Sequence, residues 1–361
     1  SAAFAYYRIQ SGAMSASQVA SEAAMLRSYI PEIPSVTIGN QTWSIRNLDV
    51  VSTPAGNVIQ EMQANSAVDR VTNGTFDSAS NWFNSSDNDI ASGVCNIRAG
   101  TTYQAISFVA NKWYKVSVDI VSNPSARNLI FGSGELYLGQ LSVIGNTPGT
   151  YTAYRKSIST NARLGFRSTD SGDPIQIDNV KCEELGCVNS TEIYDAVYAA
   201  TSGDAATKHY AALKEAAMWC SHSNTEANQV VFGKMYNGYA VALLDADMVS
   251  SGYGWRIPSQ SDWNNLITTL GGASVAGGKL KHSGTTYWLT PNEGATNESG
   301  FSLLGGGARS DSSGSFTTLK ERACFWTSTF QYLFAILYNS ANVVGSGGNV
   351  KLFGSIRLIK T

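Results

Sequence analysis

Three histidines and five cysteines are the side chains best suited to hold a metal ion or supply a nucleophile, and their spacing favours neither. His209, His222 and His282 form no His-x-x-x-His pair, and Cys220 and Cys324 have no cysteine neighbour at ligand spacing. Cys182 and Cys187 could pair with each other or with Cys95, and isolated buried thiols are the equal alternative. The chain contains no GxSxG elbow, phosphate-binding loop or dinucleotide fingerprint. Few carboxylates lie near the C-terminal motifs, which leaves little for paired acid–base work. His209 falls on an expected helix with no partner one turn away and reads as ordinary surface. These residue types do not point to an enzyme, and they imply no cofactor.

Aromatic rings are the remaining chemical resource. Trp82, Trp113, Tyr137 and Tyr151 could stack on a pyranose ring, although aromatics on strands more often belong to a core. Composition narrows the ligand classes. Only 14% of the 361 residues are charged and the net charge is −2, which excludes a partner held mainly through phosphates, so no nucleic acid is expected. No run approaches the roughly 18 apolar residues of a membrane helix, so no membrane insertion is expected. Abundant Gly, Ser, Thr, Asn and Tyr beside scarce Lys and Glu fit a β-rich extracellular or phage-type protein.

The elements that must position any site follow from periodicity. In residues 1–34, Ser15 and Gln18 form a capping box ahead of the stripe Val19, Ala23, Leu26 and Ile30, which predicts a helix ending before Pro31. This helical linker also resembles the end of an upstream domain. Six or more short alternating strands between Val71 and Glu184 predict a β-sandwich. Beyond Gly186 the pattern turns helical, with a helix over 191–200 and a second capped by Asp204 and running to about Trp219. Ser259 and Asp262 cap a further helix whose stripe is Trp263, Leu266, Ile267 and Leu270, with Gly271 as its left-handed exit. Trp255, Trp288 and Trp326 are expected in the core, and the polar LTPNEGATNE segment reads as a hydrogen-bonded loop.

The pieces VVFGKMYNGYAVA, GYGWRIPSQSDWNNLITTLGG, VAGGKLKHSGTTYW, GATNESGFSLLGGGARSDSSGSF and FWTST stand in an order that resembles the Fibrobacter-type major paralogous domain, a branch of the C-type lectin-like fold. That family's opening motif has its counterpart far upstream, in VTIGNQTWSIRNLDV. The resemblance therefore implies a discontinuous lectin-like domain over 35–66 and 186–361, with the sandwich of 67–185 inserted into it. VTNGTFDSASNWF and IQIDNVKCEE resemble the two ends of jelly-roll carbohydrate-binding modules. The expected class is α+β: a C-type lectin-like domain, an inserted all-β jelly roll and a short N-terminal helix. The Glu-Pro-Asn and Trp-Asn-Asp signatures of calcium-dependent sugar binding are missing, so no metal site is assigned, while a structural calcium in the sandwich stays open.

In the family the segment after FWTST forms the ligand face. Here residues of family type (Tyr338, Asn339, Ser340, Asn342, Val343, Lys351, Arg357) alternate with others that do not keep the family type. Those others fall within the set that adenine replacement in asparagine codons permits, as in the variable proteins of diversity-generating retroelements. The resemblance thus implies ligand contacts at Phe330, Tyr332, Phe334, Leu337, Val344, Ser346, Asn349, Leu352 and Phe353, with Phe334 and Phe353 the leading anchors. Ile336 and Tyr338 are the expected core positions of that strand. The implied function is a receptor-binding adhesin, extracellular and on a virion tail as a phage tail fibre, with a bacterial surface receptor (protein or glycan) as partner and a homotrimer as the usual assembly of such fibres. The alternatives are a secreted or surface-anchored bacterial glycan- or protein-binding protein, and the non-catalytic part of a carbohydrate-active enzyme.

Overall fold

The computed structural model describes residues 33–62, 68–85, 87–110, 112–131, 142–157, 161–168 and 172–361. The expected helix at Ser15–Ile30 and the ring of Tyr137 lie outside the described residues. The architecture mixes helices with antiparallel sheets.

Alternation builds the sandwich. In the strand Trp113–Ser122 the residues Tyr114, Val116, Val118 and Ile120 are buried while their neighbours are partly exposed, which is the period of a strand with one face in a core. This strand and Ile175–Glu184 form the centre of one sheet. The facing sheet runs Ser142–Gly145, Leu129–Phe131, Asn161–Ser168, Gly100–Ser107 and Phe83–Asn84. Phe76, Trp82, Leu164, Phe166 and Ile177 fill the space between them. Trp82 is thus a core residue rather than a sugar platform. Val68 and Glu184 are register partners, so the chain enters and leaves the sandwich at adjacent points.

Outside the sandwich, early and late parts of the chain pack as one. The hairpin Ser35–Ile38 and Gln41–Ser44 joins Ile359–Lys360 through Trp43 opposite Ile359. Gln60–Glu61 lies parallel to Met218–Trp219. Two clusters complete this half. One gathers Ile59 and Met62 with Trp219, Leu243, Trp326 and Phe353; the other gathers Trp43 with Trp263, Trp288, Phe325 and Phe334. Trp255 is half-buried against the first cluster.

Helix boundaries follow their caps. Asp204 accepts from the Thr207 amide, and the helix Ala205–Ala216 stops where Met218–Cys220 becomes a strand. Ser259 and Asp262 form the expected reciprocal cap of Gln260–Thr269. All five cysteines are buried and none forms a disulfide, so neither suggested bridge is present; Cys95 and Cys182 sit in the sandwich core and Cys187 in the other half. Burial pushes the Cys95 thiol up to about 12, which keeps it protonated and inert at neutral pH.

Three buried cations tie distant segments together. Arg357 donates to Asn47 Oδ1 at 2.8 Å and to the Ser44 carbonyl at 2.9 Å, with its guanidinium 4.8 Å from the Phe301 ring centre. Arg309 donates to the carbonyls of Gly314 and Met62 and lies over Phe316. Lys281 Nζ donates to the carbonyls of Glu293, Leu337 and Ser340 at 2.8, 3.1 and 3.0 Å. Each cation satisfies carbonyls that no ladder reaches, which is what makes its burial tolerable.

Candidate ligand-binding site

The strands Arg322–Trp326, Tyr332–Leu337 and Val343–Gly347 form an antiparallel meander. Its middle strand is covered on both faces. Leu333 and Ala335 join the cluster around Trp326, and Phe334 and Ile336 join the cluster around Trp263. The expectation of one exposed face along 332–338 is therefore corrected. Phe334 is 3% exposed and stacks on Trp263 at 5.4 Å, and Phe353 is fully buried near Arg309. Neither can anchor a ligand. Ile336 is core, as expected, and Tyr338 is half-buried.

The other expected contacts divide by register. Residues directly opposite in an antiparallel pair point to the same face. Val344 faces Ala335 and Ser346 faces Leu333, so both lie on the side of the Trp326 cluster, at its open edge. Leu337 shares that face by alternation, whereas Tyr332 lies on the opposite face against Phe334. Phe330 is 62% exposed and Val344 53%. Asn349 is exposed and Leu352 half-buried.

Phe330 and Asn349 do not stand alone. With Gln331, Val350 and Lys351 they form one wall of a groove of about 540 Å³. Its other wall is Thr191, Tyr194 and Asp195 from the helix Ser190–Ala200, His209 from Ala205–Ala216 and Tyr239 from Gly238–Ser251. The Tyr194 ring stacks on Tyr239 at 5.0 Å and 17° and on Tyr198 at 6.0 Å, making a continuous aromatic row. Tyr194 Oη lies 2.6 Å from His209 Nδ1, and Tyr239 Oη donates to Thr191 Oγ1 at 3.1 Å. Burial pushes both phenols above their ordinary range, so they stay neutral hydrogen-bonding groups at physiological pH.

Local sequence explains the placement. Asn237 caps its helix through the Ala240 amide and also donates to the Ala216 carbonyl, which fixes Tyr239 against the preceding helix. Gly238 donates to the Val350 carbonyl at 2.7 Å, and a Cβ there would fall 2.9 Å from Val350 Cα. Only glycine lets the tail approach the helix so closely. Stacked rings, amides and one charge of each sign can hold a ring-bearing or hydroxylated ligand by stacking and hydrogen bonding. Among the described residues no cluster of His, Cys, Asp and Glu is placed to hold a metal ion.

The sequence pattern left Tyr194, His209 and Tyr239 outside the site. The available signal was the pair Tyr194 and Tyr198 on one helical face, one turn apart, where an apolar stripe would otherwise be aliphatic. Of the suggested sandwich rings, Trp113 is half-buried and donates to Glu215 at 3.2 Å, and Tyr151 is partly buried against the sandwich core.

Residues 187–360 match the family model described as Fibrobacter succinogenes major domain. No curated protein matches the chain. Among solved structures, a mannan-binding module from Man5C in bound conformation is 14% identical, covers 30% of this chain and 97% of its own, and gives a TM-score of 0.25. A CBM4 structure is 18% identical, covers 32% of this chain and 99% of its own, with a TM-score of 0.26. CBM35 from Cellvibrio japonicus Abf62 is 18% identical, with coverages of 35% and 96% and a TM-score of 0.22.

Proposed function

From residues 187–360, which belong to the Fibrobacter succinogenes major domain family, we propose that the chain is a non-catalytic receptor-binding adhesin holding a bacterial surface ligand in the groove between its tail and its helices. The observation that carries this reading is the convergence of an exposed tail residue, Phe330, with the stacked rings of Tyr194 and Tyr239 around one cavity. A few exposed aromatics of this kind supply most of the affinity of typical interfaces. Leu337, Val344 and Ser346, exposed on one face of the neighbouring meander, would set which receptor is accepted, and diversification of the tail would change that choice. In this proposal the domain adopts the C-type lectin-like arrangement, and the setting is a phage tail fibre, working outside the cell as a homotrimer.

The test is binding of the labelled full chain to a panel of bacterial cells. Tyr194→Ala and Phe330→Ala should each weaken binding by about 1–3 kcal/mol, with little change in melting temperature for Phe330→Ala because its ring is exposed. Full-strength binding by both variants would remove the groove from the receptor site.

We also propose that 67–185 is an autonomous insertion. Its entry and exit are register partners, Val68 and Glu184. The contacts it would surrender include Trp113 and Lys156 on Glu215 and Tyr154 on Glu192, all partly exposed. Replacing 67–185 by a short Gly/Ser linker should therefore leave a cooperative fold that melts roughly 5–10 °C lower, as expected for losing a few kcal/mol. Recovery only as aggregate at every linker length tried would count against the insertion.

A further inference from the structure

We propose that the open edge of the strand Val343–Gly347 takes up an extended polypeptide segment of a partner protein as a fourth strand of the meander. This strand is the outer member of its sheet. Its pairing with Tyr332–Leu337 runs without a register shift, and just beyond it Gly348 donates to the Gln331 carbonyl at 2.8 Å. The Tyr332 carbonyl accepts from the Thr327 amide, so Tyr332 turns its backbone away from Val343–Gly347. By alternation Val344 and Ser346 bond inward to the middle strand, while the N–H and C=O groups of Gly345 and Gly347 point outward. Both glycines are exposed, and among the described residues these outward groups have no hydrogen-bond partner.

Folded proteins blunt a free edge with charge, proline or a bulge. None of these protects this one: residues 323–350 contain no charged residue and no proline, and the ladder is regular. The edge presents a donor and an acceptor at every second residue, which is the repeat of another extended backbone. Area decides against a second copy as the occupant. A stable dimer buries about 1,200–2,000 Å², far more than one short edge supplies, whereas strand addition by a linear segment needs only the edge and a side-chain contact. Val344, 53% exposed, is that contact. A residue added opposite it falls at a non-hydrogen-bonded position, where side chains come closest, so a β-branched or aromatic side chain fits there. The strand has no charge to pair with, so the segment is neutral over this length. The edge ends beside Gln331 and Asn349, which wall the groove. The inference thus names a polypeptide class for part of the receptor, and for the source of that polypeptide it rests on the receptor reading.

Fluorescence anisotropy of the full chain with labelled, capped peptides Lys-Thr-X-Thr-X-Thr-Lys provides the test. X is Val, Ile, Phe or Tyr, with Gly as the control, and the terminal lysines keep the peptides soluble. At least one peptide should bind about tenfold more tightly than the control, the effect of two cross-strand side-chain pairs. With X opposite Val344 the threonine amides face the edge, so N-methylation of the threonines should abolish binding and N-methylation of X should not. Gly347→Pro removes one outward donor and leaves the inward ladder, and a Cβ there meets only the Gln331 carbonyl, at 3.8 Å. That variant should lose the peptide about tenfold or more with an unchanged melting curve. No binding by any of the four peptides overturns the proposal, as does binding at parent strength by Gly347→Pro. A dimer in sedimentation velocity that Gly347→Pro dissolves, without peptide binding, would reassign the edge to a second copy. The peptide assay needs no cell, so failure of the groove in the cell panel is read separately from failure of the edge.

Discussion

Phe353→Ala and Phe334→Ala are each expected to lower stability by about 3–5 kcal/mol, the usual cost of emptying a phenylalanine site in a packed core. Phe353 is fully buried, and its backbone exchanges hydrogen bonds with Arg309 at 3.1 and 3.2 Å. Phe334 fills the space over Trp263. Residues around both sites are held by sheet pairing and by buried arginines, so little collapse into the cavity can offset the loss. Thermal melting of these variants beside Phe330→Ala decides the matter. The two core variants should melt roughly 10 °C early, as scaled for a unit of this size, while Phe330→Ala melts with the parent. Normal melting with lost cell binding would return Phe334 and Phe353 to the ligand face.

Lys281→Met should cost about 2–4 kcal/mol despite conserving bulk. The substitution leaves the carbonyls of Glu293, Leu337 and Ser340 without their shared donor, and an orphaned buried polar group costs about 1–3 kcal/mol. Those carbonyls lie in the 290–295 loop and at the tip of the hairpin that carries Leu337 and Val344, so the variant loosens that hairpin as well. Burial pushes Lys281 from the ordinary 10.5 down to about 8. Between those pH values the unfolded chain binds more protons than the folded one, so the lysine's contribution makes stability rise with pH there. Below pH 8 both states are protonated and the folded state carries the full burial penalty. In the methionine variant this component of the slope should be absent. Chemical denaturation from pH 7 to 10.5 measures it, and identical slopes in parent and variant would show that the ammonium is not buried as described.

What was legible in the sequence came from features that act locally. The cap at Ser259 and Asp262, the stripe through Trp263 and Leu266, and the alternation in 113–122 are each written within a few residues, and each matches an element of the structure. The tail was legible only in part. Alternation distinguishes the two sides of strand 332–337 but cannot say what covers each side, and here Trp263 covers one while the Trp326 cluster covers the other. The groove was hidden for a related reason. Tyr194, His209 and Tyr239 come from three helices, and only tertiary packing brings them to Phe330. Lys281 and Arg309 were equally opaque, because a carbonyl cage belongs to the backbone path and leaves no residue signature.

The adjacency of Val68 and Glu184 has a mechanical meaning. Tension between the hairpin 35–44 and the ligand groove travels through the strand Ile359–Lys360 and the buried hydrogen bonds of Arg357. The sandwich hangs from that load path by two neighbouring points. Force that pulls on the C-terminal half does not stretch the sandwich, and the sandwich should keep its fold when the terminal sheet is already close to shearing.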